Sequence, residues 1–396
     1  MSGGSGRLLD PSQPERDGPS ALPGGSQGGG AQGGRSVAGR SQGGRAQGGR
    51  SRSGPPRLLS AAAGEPSGGT KAPRRAFVFG GGGVLGFAWI VGALTALDHE
   101  LGVRPAPADL MVGTSAGAVT AGILSCGVTV DSVRRHQFGM PLPEDPPISW
   151  NYNRDSGGSR PPRPGWRPGS PRLVWGGIRN PATVSPVVAL SGLLPAGRGT
   201  LAPIQQMISA IAAAADWGAD WPTSPTWIVA TDYASGRRVV FGRAGAPQAA
   251  LAAAVGASCA IPAWYAPVQI AGRRYIDGGT TSNASIDLID PADYDEVYVL
   301  APMAALEPDS PRAPVARVER RVRRTITRGI VRDVTRLRSQ GVRVTVLTPG
   351  PEDLTVMGAN LMNPRRRLAV LHTAMRTAAA DIRRQRHAAQ DEAQYG

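Results

Sequence analysis

Two strand–turn–helix units follow each other closely in this 396-residue chain, and they restrict its fold more than any other feature. The apolar run at 76–79 leads into a glycine-rich turn, GGGGVLG (80–86), and then into a segment with helical spacing of apolar residues. A second apolar run at 110–112 leads into GTSAG (113–117) and a helix of small residues. Strands and helices that alternate through tight glycine turns predict an α/β protein.

The rest of the body continues this alternation. Apolar runs predict further strands at 226–232, 237–241, 296–303 and 342–349. Helical spacing predicts helices at 251–258, from about 315 to 340, and from about 364. Two uncharged stretches, 110–130 and 244–272, are long enough to span a membrane. A glycine turn in the first and three prolines in the second favour buried α/β core, so no transmembrane helix is expected.

Two segments do not fit the alternation. Residues 1–73 are near-repeats of QGGR, and this composition predicts a disordered tail with no signal-peptide core. Residues 141–200 are rich in Pro, Gly, Arg and Trp, and they are too irregular for a sheet or a helix. We predict that they form a lid-like insertion in a domain spanning 74–390. This insertion contains Trp150, Trp166 and Trp175, which would meet a lipid surface as part of the lid, and core packing is the alternative interpretation.

Charge and composition exclude several classes of protein. The net charge of +15 lies at the two ends, and the middle of the chain is slightly acidic. The Arg, Ala, Gly and Pro bias is typical of a GC-rich bacterial genome, and no RNA-binding signature accompanies it, so no nucleic acid partner is expected. Two cysteines and four well-separated histidines lack metal-ligand spacing. We therefore expect neither a metal nor another cofactor.

GTSAG has the G-x-S-x-G form of a nucleophile turn. Such a turn pushes the serine, here Ser115, out of the end of a strand, while Gly113 and Gly117 leave room for the neighbouring backbone. The serine would also lie at a helix N-terminus, where partial positive charge favours an alkoxide. A structural serine cap is the alternative interpretation.

The glycine run also has two interpretations. Gly81, Gly83 and Gly86 match the G-x-G-x-x-G loop of dinucleotide-binding proteins. The acidic residue that this fingerprint needs at the end of the second strand is missing, since that strand runs into GTSAG. Adjacent glycine amides without side chains instead favour an oxyanion hole.

A nucleophilic serine requires a base. None of the histidines (His99, His136, His372 and His387) lies in a glycine-flanked turn. Asp277 does, because YIDGG ends a strand and turns on Gly278 and Gly279. An ordinary Asp-Gly turn is the alternative interpretation for this residue.

Together and in this order, GGGGVLG, GTSAG and DGG resemble the patatin-like phospholipase family, from about Ala76 to Arg376. The resemblance implies a three-layer α/β/α fold with a mainly parallel central sheet. It implies a Ser–Asp dyad without a histidine, in which Ser115 is the nucleophile and Asp277 the base. Gly81, Gly82 and Gly83 would form the oxyanion hole. One position departs from the family pattern, where Arg or Lys is common and this chain has Leu85.

The resemblance implies a serine acyl hydrolase acting on lipid carboxylic esters. The alternative is a catalytically weak lipid- or protein-binding module of the same family, and a nucleotide-dependent dehydrogenase comes third. We expect a cytoplasmic protein that touches anionic membrane surfaces peripherally. Neither the head group nor the oligomeric state follows from the sequence.

The predicted helix after residue 315 has one apolar stripe and many arginines. The stripe consists of Val318, Val322, Ile326, Ile330, Val334 and Leu337. We expect the stripe to face the core and the arginines to face water. A sharper hypothesis lets those arginines hold anionic lipid head groups.

Overall fold

The computed structural model describes residues 72–163, 165–166, 168–179, 186–215, 220–307 and 314–395. These residues belong to one compact unit, Gly69–Gly396. The predicted disordered tail, 1–73, lies outside the described residues as far as residue 71.

Eight strands form one mixed sheet in the order β5-β6-β3-β2-β1-β7-β8, with β4 also paired to β3. Their bounds are Arg75–Phe79 (β1), Leu110–Thr114 (β2), Thr226–Asp232 (β3), Arg238–Phe241 (β4), Val268–Ile270 (β5), Arg273–Asp277 (β6), Glu296–Leu300 (β7) and Arg343–Leu347 (β8). The strands β3, β2, β1, β7 and β8 run parallel. The remaining pairs, β3–β4, β3–β6 and β5–β6, are antiparallel.

Ten α-helices connect or cover these strands in the described part of the chain. Their bounds are Gly83–Leu101 (α1), Ala116–Ser125 (α2), Val130–Phe138 (α3), Pro171–Arg179 (α4), Pro186–Ser191 (α5), Ala202–Ala214 (α6), Leu251–Ser258 (α7), Pro314–Ser339 (α8), Pro351–Met357 (α9) and Arg367–Tyr395 (α10). The 3₁₀ turns are Gly278–Thr280, Ile286–Leu288 and Pro364–Arg366.

The core lies on both faces of the sheet. On one face, alternate strand residues such as Phe77 and Met111 pack against α1, α2, α6, α7 and α10. On the other face, Val78 and Val112 pack against residues of α8 such as Val334. The predicted α/β/α arrangement with a mainly parallel sheet is therefore confirmed.

The segment 141–200 contains more regular structure than its composition predicts. It holds the helices α4 and α5, so the interpretation of the whole segment as irregular is wrong. In α4, Leu173 is buried and packs with Val188 against Tyr233 and Ile276 of the body, and this anchor makes a short helix stable despite its glycines and flanking prolines. A mobile lid stays a prediction.

The Arg-rich helix forms as predicted, but the predicted assignment of its residues to the core and to solvent is partly wrong. Ile330, Val334 and Leu337 are buried, whereas Val322 is 49% exposed. Arg323 is buried instead, because its Nη1 donates to the carbonyl oxygens of Pro302, at 2.5 Å, and Ala304, at 3.3 Å. Its guanidinium also pairs with Glu319, and the buried Arg320 does the same.

One described helix, α1, is long and apolar enough to cross a membrane by length and composition. However, 67% of its most apolar window is buried inside the protein. The helices α2 and α3 pass the same test only together, with a bend of 119° between them.

Candidate active site

The three glycine motifs meet at one edge of the sheet, where the parallel strands end. β1 ends at the glycine loop, and its neighbour β2 ends at Ser115. The antiparallel strand β6 brings Asp277 back to this edge, opposite Ala230 of β3. Ligands of open α/β sheets bind outside the carboxyl ends of strands, so the fold places these residues where such sites occur.

The turn at Ser115 has the strained backbone geometry expected of a nucleophile turn. Ser115 has φ 53° and ψ −117°, which non-glycine residues rarely adopt, and α2 begins at the next residue. A side chain at Gly113 would bring a Cβ within 2.5 Å of Gly117 O, and one at Gly117 within 2.0 Å of Phe79 O. Only glycine fits at these two close approaches, so the G-x-S-x-G spacing is a steric requirement of this turn.

A second serine, Ser258, holds this turn in place. The backbone N–H of Ser115 donates to Ser258 Oγ at 2.9 Å, and that hydroxyl donates to Val229 O of β3 at 2.6 Å. Ser258 is completely buried at the end of α7. Sequence reasoning missed it because it reads as one more small residue in a helix, 143 positions from its partner.

The glycine loop narrows the predicted set of oxyanion donors. The Gly81 amide donates to Asn283 O at 3.0 Å, so it is already engaged. Within the part of the chain that the structure describes, the Gly82 amide has no acceptor, and Gly83 begins α1, where amides lack partners in the helix. The Gly81 amide is therefore not free to bind an oxyanion, and donation by the Gly82 and Gly83 amides stays a prediction.

The remaining motif position, Gly86, packs against Pro302. Leu85, which stands where the family often has a cation, is buried, and its N–H donates to Leu361 O at 3.0 Å. The site therefore has no charged side chain at this position.

The loop also lies against the serine. A Cβ added to Gly81 would stand 3.4 Å from Ser115 Cβ. Ala116, directly after the serine, is the first residue of α2, so its amide is also free of a helical partner. The sequence prediction did not include this third candidate donor, although the G-x-S-x-G pattern allows one there.

Asp277 is buried beside Ser115. Burial raises the pKa of its carboxyl from 3.8 to about 6, because water no longer stabilises the charge. Two donors oppose this rise: the Ser115 hydroxyl and the Gly279 amide, which donates to Asp277 Oδ1 at 2.7 Å. A Cβ at Gly278 would stand 2.2 Å from Val229 O, so the turn requires glycine there.

Other nucleophiles and bases near this edge have different partners. His136 Nδ1 lies 3.2 Å from Tyr152 Oη, and the His372 ring stacks at a tilt on Phe138. The Cys259 thiol donates to Ser115 O at 3.5 Å. Burial, and then the charge of Asp277, raise the pKa of this thiol well above 9.0, so it stays protonated.

An apolar cavity opens beside Ser115. Its volume is about 80 Å³, and it is open to solvent at its mouth. Aliphatic and aromatic residues from several helices form most of its wall, among them Phe87, Val119, Ile123, Ile204 and Met207. Trp150 also lines the cavity, whereas Trp166 is 100% and Trp175 59% exposed. The three tryptophans of the insertion therefore have different environments.

Comparisons with known proteins identify the family of this chain. A solved structure, VipD from Legionella pneumophila, is 14% identical over 76% of this chain and 67% of that chain, with a TM-score of 0.33. A TM-score this low does not establish that the two proteins share a fold. A search of curated proteins found no match. The family described as patatin-like phospholipase matches residues 77–290, which include the serine turn and the Asp-Gly-Gly turn. Because this match spans more than half of the 396 residues, the chain belongs to the patatin-like phospholipase family.

Proposed function

We propose that this protein is a serine acyl hydrolase that cleaves carboxylic esters of lipids through a Ser115–Asp277 dyad. The observation that supports this most is the contact between a strained serine at a helix N-terminus and a buried carboxyl with a pKa of about 6. A general base works best when its pKa lies near the working pH. A structural Asp-Gly turn has no need of a buried acid beside a serine.

In the first half of the reaction, the Asp277 carboxylate takes the hydroxyl proton of Ser115. The serine oxygen attacks the ester carbonyl carbon and forms a tetrahedral oxyanion. Asp277 then returns the proton to the alcohol oxygen as the carbon–oxygen bond breaks. The products of this half are a free alcohol, such as a lysolipid, and an acyl group bound to Ser115.

The oxyanion of this intermediate binds to backbone amides. Gly82 and Gly83 donate from the glycine loop, and Ala116 donates from the first turn of α2. These groups are fixed by the backbone before substrate arrives, so they stabilise developing charge without reorganisation. Gly81 supports the loop through Asn283 and does not donate.

In the second half, the same carboxylate activates water, which attacks the acyl group. The proton passes to Asp277 and then to the Ser115 oxygen as the fatty acid leaves. The active form therefore needs Asp277 ionised at the start of both halves. Its raised pKa predicts that activity falls as the pH drops below about 6.

The apolar cavity supports an acyl chain as the part of the substrate that is bound. Its wall is almost entirely hydrocarbon, and it begins at the serine. Each buried methylene contributes about 0.8 kcal/mol to binding, so chain length is a strong source of selectivity. A nucleotide would find few polar partners in such a cavity.

Hydrolysis of a lipid panel tests the proposal. The panel contains a phospholipid, a lysophospholipid, a glyceride and a short-chain ester, and Ser115→Ala is the matched control. We expect turnover of at least one long-chain ester that disappears in the control. A folded protein that hydrolyses none of them supports the catalytically weak binding module instead.

A further inference from the structure

A stretch of the insertion combines arginine with a complete lack of acidic residues. Between Asp155 and Asp216 the chain has no Asp or Glu. It has six basic residues there: Arg160, Arg163, Arg167, Arg172, Arg179 and Arg198. The described five are exposed, and none of them forms an ion pair within the described residues. This part of the surface therefore carries a net positive charge.

The same stretch exposes large apolar side chains. In α4, Trp175 is 59% and Ile178 67% exposed, on the side away from the buried Leu173. The other members of this apolar set are Trp166, Leu190, Leu193 and Leu194. An apolar face of this kind beside arginines is the pattern of a helix that lies in a membrane interface.

These residues form one surface, not scattered contacts. The chain before α4 pairs with the chain after α5, since Gly169 N donates to Leu194 O at 2.9 Å and Ser170 N to Gly192 O at 3.1 Å. Leu173 of α4 packs with Val188 of α5 beneath them. We call the exposed side of this paired unit, residues 165–198 as far as described, the α4–α5 surface.

The α4–α5 surface lies at the same edge of the sheet as the candidate active site. Ser170 Oγ donates to the carbonyl oxygen of Tyr233, which directly follows the end of β3, at 2.5 Å. β3 is the parallel neighbour of β2, which ends at Ser115. The residues that flank this stretch in the sequence, Ser156 and Leu201, both line the apolar cavity.

The Arg-rich helix α8 is the competing cationic surface. It packs against one face of the sheet, and the helices that form the cavity pack against the opposite face. Some of its arginines also form ion pairs within the protein. Arg323 and Arg320 pair with Glu319, and Arg332 pairs with Asp333 at 2.9 Å. Among the α8 residues whose exposure the structure describes, the large apolar residues on the outward side are fewer, namely Val322 and Val331.

We infer that the α4–α5 surface is the membrane-binding surface of this protein, and that its partner is an anionic phospholipid bilayer. Trp175 and Ile178 enter the interface, where tryptophan is favoured, and the arginines, which have no acidic partner among the described residues, contact lipid phosphates. Binding at this surface holds the sheet edge that carries Ser115 at the bilayer. The inference goes beyond the proposed hydrolysis and does not depend on it.

Vesicle binding by the full chain tests the inference. All proteins carry Ser115→Ala, so that lipid is not consumed and a failure of the proposed hydrolysis cannot affect the result. Co-sedimentation is measured with vesicles of phosphatidylcholine alone and with vesicles containing about one-third phosphatidylglycerol. One variant combines Arg172→Gln, Arg179→Gln and Arg198→Gln, and a second combines Trp175→Ala and Ile178→Ala. The matched control combines Arg321→Gln, Arg324→Gln and Arg328→Gln, three exposed positions of α8.

We expect binding only to the anionic vesicles. Each arginine near such a surface contributes about a factor of five, so the first variant should bind on the order of a hundredfold more weakly. The second variant should lose about tenfold or more, and the α8 control should change little. If the α8 control lost as much as the first variant, or if neither surface variant weakened binding, the inference would be overturned. Circular dichroism of each variant checks that the fold is retained.

Discussion

The turn at Ser115 and the α4–α5 surface occupy the same edge of the sheet, but they are built in opposite ways. At the turn, backbone lies directly against backbone, and a single Cβ at Gly117 would come within 2.0 Å of Phe79 O. On α4, a Cβ at Gly176 would meet nothing within 4 Å. The turn at Ser115 therefore has no room for an added side-chain atom, whereas the exposed side of α4 has ample room.

This difference matches the two tasks that we propose for the protein. The proposed chemistry requires Ser115, Asp277 and the loop amides to keep fixed positions, and buried hydrogen bonds such as the one to Ser258 favour that rigidity. The proposed contact with a fluid lipid surface requires exposed apolar and cationic side chains instead. Substitutions in the two regions should therefore have different kinds of effect.

The largest effect is expected from one added methyl group in the rigid region. Gly117→Ala should destabilise the protein by more than about 4 kcal/mol or prevent folding, because strand β1 would have to move. Gly176→Ala is the matched control in α4, and it should be neutral or stabilise by up to about 1 kcal/mol. Thermal unfolding of both variants measures this. Similar melting temperatures would remove the contrast between the regions.

The next effect concerns the base. Asp277→Asn should lower kcat by about a hundred- to ten-thousandfold, since it removes the proton acceptor and keeps the shape. Adding Ser115→Ala to it should cost little more, because the dyad acts as a unit. Steady-state rates on a soluble ester decide this. Near-native turnover of Asp277→Asn, with loss of activity in His136→Ala, would assign the base to the histidine.

The same substitution should raise stability at neutral pH. The folded pKa of Asp277 lies above its unfolded value of 3.8, so the ionised carboxyl destabilises the fold as pH rises from about 4 through 6. Asp277→Asn should therefore increase the free energy of unfolding by about 1–3 kcal/mol at pH 7. The gain should vanish below about pH 4, where the carboxyl is protonated in both states. Denaturant titrations at the two pH values measure it, and an unchanged or lower stability at pH 7 would contradict the assigned burial.

A smaller effect is expected from the serine that supports the turn. Ser258→Ala leaves Ser115 N–H and Val229 O without their buried partner, which costs about 1–3 kcal/mol. We expect kcat to fall about tenfold with little change in KM, since the turn loses precision and the cavity is intact. Ser125→Ala is the control, because Ser125 Oγ donates to Gly122 O at 3.0 Å away from the turn. Equal kcat values for the two variants would argue against a positioning role.

The smallest effect concerns chain length. Phe87 lines both the cavity at Ser115 and a small neighbouring gap between α1, α2 and α3. Phe87→Ala should join the two spaces and raise the ratio of long-chain to medium-chain turnover about tenfold. Phe138→Ala, at another half-buried aromatic outside this cavity, should leave the ratio unchanged. The assay compares esters of increasing chain length. An equal shift in both variants would show that the effect is general loosening.

The comparison also explains what the sequence could predict. The glycine turns, the strands beside them and the Asp-Gly-Gly turn are local patterns, and their predicted positions agree with the structure. Hydrogen bonds between residues that are far apart in the sequence could not be predicted. Ser258 meets Ser115 from another helix, and the commitment of the Gly81 amide to Asn283 depends on a distant loop.

The same reason accounts for the error in α8. A helical repeat of apolar residues places arginines outside, yet Arg323 turns inward because two carbonyl oxygens from residues 302 and 304 need donors. Likewise, α4 forms because Leu173 finds a site beside Tyr233, which its Pro- and Gly-rich flanks do not indicate. Short-range patterns locate motifs, whereas the partners of buried polar groups follow from tertiary structure.

The most direct test of the central claim is covalent labelling of the serine with a fluorophosphonate. The proposed chemistry predicts a single adduct on Ser115, located by peptide mass spectrometry and absent from Ser115→Ala. It also predicts that the labelling rate rises with pH around the Asp277 pKa of about 6, and that Asp277→Asn is labelled much more slowly. Absence of labelling in the folded protein at about pH 8, or equal labelling of Ser115→Ala, would contradict a Ser115–Asp277 dyad.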